Sequence, residues 1–196
     1  VDPDKFYMAI EKFLHLYLMD APPQQEIQSL KEFISNLIKN DLTPNLGEEH
    51  PITIQYENDL AHILFLQGNY KEAILIKEKL LESSKKIYGT VSSSNLADIG
   101  TYYLYNNDIS NSCIYFERCL QQTQQQIFSD FRWLTANERA LYWARYKNMI
   151  ENIIPMSYKA QGYARFLPLS YNALLLSKGM LLNSEIELHK LLQSKG

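Results

Sequence analysis

Two stretches of this chain repeat each other's pattern of small and large side chains at a separation of 39 residues, and no other feature restricts the possible folds as tightly. Leu60 and Ala61 fall on Ile99 and Gly100, Leu64 on Tyr103, Gly68 on Asn107, Tyr70 on Ile109, Ala73 on Ser112, Leu80 on Cys119 and Leu81 on Leu120. Small residues meet small ones and large apolar residues meet large apolar ones. Antiparallel helices joined by a short turn need small side chains where their axes come nearest and large ones above and below. A recurrence of this length marks helical hairpins stacked on a shared core. Only seven Gly and seven Pro fall in 196 residues, which suits long helices rather than many short strands. The expected fold class is therefore all-α.

Apolar spacing predicts eight helical segments. The first covers about 4–20, with Phe6, Ile10, Phe13, Leu14, Tyr17 and Leu18 on one stripe, and Pro22 and Pro23 end it. The second covers 24–40 and is broken by Thr43-Pro44-Asn45; the third covers 52–66, with a turn at Gln67-Gly68-Asn69. The fourth covers 70–88 and stops at Gly89 as a C-terminal cap. A fifth follows Ser92-Ser93-Ser94 and ends near Asn106-Asn107, and a sixth covers 109–127. Thr135 and Glu138 form the capping box of a seventh, which Pro155 should kink or interrupt. The last starts near 168–170 and runs toward the C-terminus, with a disturbance expected at Gly179 or Asn183.

Charge and composition exclude several function classes. Nineteen Lys and Arg stand against 22 Asp and Glu, a formal net charge of -3, so no strong field draws the chain to nucleic acid or an anionic membrane. The richest apolar run, 167–182, is interrupted by Ser170, Asn172, Ser177 and Lys178, so no membrane span is predicted. Cys113 and Cys119 are six residues apart in one helix and point about 240° away from each other, too far for a local disulfide or a shared metal. A reducing, cytoplasmic compartment follows as the expectation. The chain opens at Val1 and its last helical pattern has no clear stop, which reads as a piece of a longer protein.

The residues that carry the recurrence resemble the tetratricopeptide repeat. Leu60-Ala61, Leu64, Gly68-Asn69-Tyr70 and Ala73 match a small residue in helix A, a turn glycine followed by tyrosine, and an alanine in helix B. Leu46-Gly47-Glu48-Glu49-His50-Pro51 is similar to the inter-repeat loop of the kinesin light chain type, and Gly47 and Gly89 stand 42 residues apart, as that subtype implies. Lys77 departs from the family, which places an aromatic there; Phe116 restores it in the second unit. The resemblance implies antiparallel hairpins in a right-handed superhelix, with a degenerate hairpin at 1–45, two repeats at 46–127 and a helical extension at 128–196. It also implies that the A helices line a concave face that binds an extended peptide or a partner helix. Gln55, Asn58 and His62 in one unit and Ala97, Thr101 and Tyr105 in the next are the groove-facing candidates.

A second resemblance covers the extension. Trp133-Leu134-Thr135-Ala136-Asn137-Glu138-Arg139 and Tyr171-Asn172-Ala173-Leu174-Leu175-Leu176-Ser177-Lys178-Gly179-Met180-Leu181-Leu182 look like the segment between tetratricopeptide repeats and a CHAT domain, a caspase-like cysteine protease module. In that family the catalytic His and Cys would lie beyond Gly196.

The chemistry-bearing residues inside the chain have plainer readings. His50 beside Glu48 and Glu49 could suggest a metal, but it fits the repeat loop and lacks further ligands at suitable spacing. A hydrolase using His62 or Cys119 rests only on the presence of those side chains, and Cys119 falls at a small packing position. Gln121, Gln122, Gln124, Gln125 and Gln126 read as a solvated helix face, and Phe128, Phe131, Trp133, Tyr142, Trp143 and Tyr146 as a joint between sub-bundles. The expectation is a non-catalytic interaction or regulatory module needing no cofactor and no metal. Its partner is a protein, a peptide or the downstream domain of the same chain, not nucleic acid or membrane. The alternative is the helical sensor or regulatory region of a bacterial-type signalling or transcription regulator.

Overall fold

In a computed structural model, residues 23–160 and 163–193 are described, with side chains as far as residue 179; the segment predicted at 4–20 lies outside them. The chain divides into two compact units, 1–91 and 92–196. In the first, α1 (Gln24–Leu37) passes through a π-helical turn (Ile38–Leu42) into the short α2 (Thr43–Leu46), followed by α3 (Pro51–Leu66) and α4 (Tyr70–Tyr88). In the second, α5 (Ser93–Tyr105) and α6 (Ile109–Phe131) form a hairpin, followed by α7 (Ala136–Glu151), α8 (Ile153–Lys159) and α9 (Phe166–Gln193). Every regular element among the described residues is helical, an all-α helical repeat.

The recurrence at 39 residues extends to the backbone of the turns. Gly68 has φ 79° and Asn107, its counterpart, has φ 62°. After α3 the Gly68 N–H donates to Phe65 O and the Asn69 N–H to Leu64 O; after α5 the Asn107 N–H donates to Leu104 O and the Asp108 N–H to Tyr103 O. These are the two bonds of a Schellman ending, and its left-handed position is open to Gly or, at some cost, to Asn. A Cβ on Gly68 meets nothing nearer than the Tyr70 hydroxyl at 3.9 Å, so substitution there tests backbone conformation alone. Gly68→Ala is expected to cost about 1 kcal/mol and Gly68→Asn clearly less. Urea unfolding that ranks the two variants the other way would remove this account of the turn.

Small residues sit where the hairpins close, as the recurrence predicts. Ala61 and Ala73 are buried in the first unit, and Gly100 and Ser112 in the second. The Phe116 ring lies so close to Gly100 that an added Cβ would meet its Cδ1 and Cε1 at 3.0 Å. In the first unit, Ile27, Leu30, Ile34, Leu37 and Leu42 pack with Tyr56 and Ile63 of α3. In the second, Leu104, Phe116, Ile127 and Phe131 pack with Trp143, Ile150, Ile153, Phe166 and Leu169.

Several boundaries differ from expectation, each for a local reason. Thr43-Pro44-Asn45 continues as α2 instead of breaking the chain, because Pro44 sits in a first turn, where its missing N–H has no helical partner to lose. The sixth segment runs on to Phe131, since Phe116, Leu120, Thr123, Ile127 and Phe131 keep a buried stripe at three- and four-residue steps. The seventh, by contrast, is interrupted as expected, at Asn152: Pro155 cannot donate to Glu151 O and its ring crowds that carbonyl, so α7 ends there and α8 restarts with the proline in its first turn. α9 begins at Phe166 and passes through Gly179 and Asn183 unbroken. The aromatic joint is smaller than predicted. Phe131 and Trp143 are buried, with Tyr142 and Tyr146 half-buried, but Phe128 is 42% and Trp133 86% exposed.

Candidate functional site

Gln55, Asn58 and His62 share one side of α3, because steps of three and four residues return to the same face of a helix. The helix is set by Pro51 at its first position and by His50 as N-cap, whose Nδ1 accepts from the Ile52 N–H at 3.2 Å. His50 is thereby a capping residue, and among the described residues no three His, Cys, Asp or Glu side chains are grouped as a metal would need.

A charged group supports this face from within. Lys77, on α4, is only 1% exposed, yet its Nζ donates to Asn58 Oδ1 at 2.5 Å. The counterpart Phe116 is equally buried, so the position itself is a core position and the lysine stem fills it. With Oδ1 held by the ammonium, the Asn58 amide is turned so that both Nδ2 protons remain for another acceptor. Gln55 Nε2 donates to Asp59 Oδ1 at 3.1 Å. His62 stacks on Phe65, ring centroids 6.4 Å apart.

Burial pushes the Asp59 carboxyl up to about 6, against smaller downward pulls from the Gln55 hydrogen bond and the Lys77 ammonium. A folded-state pKa above the unfolded one means that the native chain holds the proton more tightly. Stability from this group is therefore full below the ordinary carboxylate range and is lost as pH rises through about 6. Asp59→Asn is expected to stabilise the chain at pH 7 by about 1 kcal/mol, allowing for partial solvent screening, and to have little effect near pH 4. Thermal melts of the two proteins at both pH values check the sign.

The candidates of the second unit have neighbours of their own. Ala97 packs against the core of that unit. The Thr101 hydroxyl donates to Ala97 O at 2.9 Å and reaches Met156 Sδ of α8 at 3.9 Å. Lys159 Nζ lies 3.7 Å from the centroid of the Tyr105 ring. α8 thus packs beside α5 at Thr101 and Tyr105, while on α3 Gln55 is met by Asp59 and Asn58 by Lys77.

Cys113 and Cys119 are free and fully buried. Burial pushes the Cys119 thiol up to about 12, and its Sγ rests 4.0 Å from Met149 Sδ. The nucleophilic thiolate is therefore negligible at neutral pH. Several surface cations have partners: Lys79 meets Glu48 and Glu57, Lys86 meets Glu49, and Arg165 holds Glu117 through two nitrogens. Lys77 and Asp59 were not among the residues singled out from the sequence for the groove. The available signal was a lysine aligned with Phe116, which marks a buried cation, and an aspartate one step from Asn58.

No described helix is long and apolar enough to cross a membrane. No family model matches the chain, and no curated protein matches it. Among solved structures it is similar to the kinesin light chain nearly identical TPR-like repeats of Podospora anserina, at 12% identity over 96% of this chain and 91% of that one, with a TM-score of 0.49. The reading of the two hairpins as a tetratricopeptide-like helical repeat stands on their own packing and turns.

Proposed function

We propose that the chain is a non-catalytic protein-interaction module that takes an extended peptide or a partner helix on the A helix α3. The recognising groups there are Gln55, Asn58 and His62; in the second unit the candidates Ala97, Thr101 and Tyr105 already pack with the core, with Met156 and with Lys159. The observation that carries the proposal is the Lys77–Asn58 contact, because a fixed amide with free N–H donors suits the carbonyls of a bound backbone. The Thr101 hydroxyl is already used by Ala97 O, so α5 offers no comparable polar readout. Cys113 and Cys119, both fully buried, present no accessible thiol nucleophile.

Asn58→Asp keeps an acceptor for Lys77, strengthens that contact by charge and removes both donors. Peptides selected by display on the unmodified chain are expected to bind Asn58→Asp at least tenfold more weakly, a loss of at least about 1.4 kcal/mol, with a melting temperature no lower. Equal binding to the two proteins would remove α3 as the recognition surface.

The same reading places residues 128–196 as a helical extension within a longer CHAT-type protein, supported by the segments at 133–139 and 171–182, which fall on α7 with its leading connector and on α9. A caspase-like domain encoded in frame after Gly196 supports it, and an unrelated domain there overturns it.

A further inference from the structure

We propose that the peptide seated on α3 carries a basic side chain, Lys or Arg, whose cation pairs with the Asp59 carboxylate. The inference rests on the reading of α3 as the recognition surface and adds the chemistry of its partner. Between Pro51 and Leu66 the helix holds two carboxylates, Glu57 and Asp59, and no Lys or Arg. Their surroundings differ. Glu57 meets the Lys79 ammonium at 3.2 Å. Among the described residues Asp59 forms no ion pair and accepts from one neutral donor, Gln55 Nε2 at 3.1 Å.

An ionised carboxylate that is half-buried, as Asp59 is, is ordinarily paired, because its removal from water is costly unless a cation or several donors replace the lost hydration. A carboxylate accepts up to about four hydrogen bonds, and Gln55 supplies one. Lys77 acts from inside the unit: its ammonium donates to Asn58 Oδ1, and its pull on Asp59 is weaker than the opposing effect of burial. At neutral pH the carboxyl is nevertheless ionised in most molecules, so Asp59 weakens the free fold where it stands. Groups that cost stability in the free chain concentrate at binding sites, where a ligand offsets the cost.

The position of Asp59 suits a long basic side chain. It stands one turn from Gln55 and from His62 and two turns from Leu66, at the edge of the same side of α3. Leu66 is 39% exposed, and with the stacked His62 and Phe65 rings it offers apolar surface to a methylene stem. The cation at the end of that stem meets the carboxylate, while the Asn58 amide takes a neighbouring backbone carbonyl. An acidic peptide meets the reverse: the Asp59 charge repels it, and α3 has no Lys or Arg to receive it.

Isothermal titration calorimetry of display-selected synthetic peptides, with the unmodified chain and with Asp59→Asn at about pH 7.5, tests the pairing. The selected peptides are expected to share one Lys or Arg position. Replacing that residue by Met is expected to weaken binding about tenfold or more to the unmodified chain and less than about twofold to Asp59→Asn, a coupling that the double-mutant cycle isolates. Asp59→Asn is expected to melt no lower than the unmodified chain at this pH, so its weaker binding does not reflect a lost fold. Peptides with no shared basic position, or an equal effect of Met on both proteins, would overturn the pairing. Asn58→Asp then separates the two readings. If it still binds about tenfold more weakly, the basic partner alone falls; if it binds equally, α3 falls as the recognition surface as well.

Discussion

Phe116→Ala is expected to lower the unfolding free energy by about 3–5 kcal/mol. The ring is buried, stands edge-on to Phe166 with centroids 6.0 Å apart, and lies against Gly100, a helical position with no Cβ to obstruct it. Truncation removes the aromatic burial and leaves a cavity bounded by two helices that cannot collapse without shortening their separation. The Gly100 side of the same contact yields a reversal of sign. In the unmodified chain Gly100→Ala is expected to destabilise by about 1–3 kcal/mol, since the Cβ would press on a ring already held by Phe166. In the Phe116→Ala background the same substitution is expected to stabilise, because the space is open and alanine favours a helix by about 1 kcal/mol over glycine. Urea unfolding of the four proteins measures both, and additive effects would contradict the close approach.

Lys77→Ala is expected to cost about 2–4 kcal/mol, more than a lysine substitution at an exposed helix position by far. Its stem fills a core position and its ammonium is the donor to Asn58 Oδ1, so truncation creates a cavity and removes a charge-assisted hydrogen bond together. Lys77→Met separates the two contributions: it restores most of the volume, and its cost is expected to fall clearly below that of alanine. The methionine variant is also expected to weaken peptide binding on α3, because the Asn58 amide is then free to rotate. Denaturant midpoints for both variants, with peptide affinity for the methionine one, check the account. An alanine variant as stable as the unmodified chain would show that the lysine is not a core residue.

Much of the helical order was legible because residue chemistry recurs. Gly68 and Asn107, unlike in size, share the tolerance for a positive φ that the turn demands, so aligning them was enough to locate both hairpins. Thr135 and Glu138 announce their helix because the two side chains serve each other's orphan N–H groups. Helix ends that depend on a neighbour were less legible. α6 continues to Phe131 because Trp143 and its surroundings give that ring a place to be buried, which spacing within α6 cannot report. The exposure of Trp133 was hidden for the converse reason: an aromatic in a connector resembles a core residue until its surroundings are known. For the candidate site, helical spacing alone put Gln55, Asn58 and His62 on one side, whereas the orientation of the Asn58 amide depends on Lys77, nineteen residues away on another helix.

The central claim, that partner recognition is seated on α3, is tested most directly by titrating the isotopically labelled chain with a display-selected peptide and following the amide resonances. The account predicts that the largest shifts fall on Gln55, Asn58 and His62, including the Asn58 side-chain amide. Shifts confined to Leu167, Tyr171 and Leu175 of α9, or no shifts at a concentration that saturates binding, would contradict it.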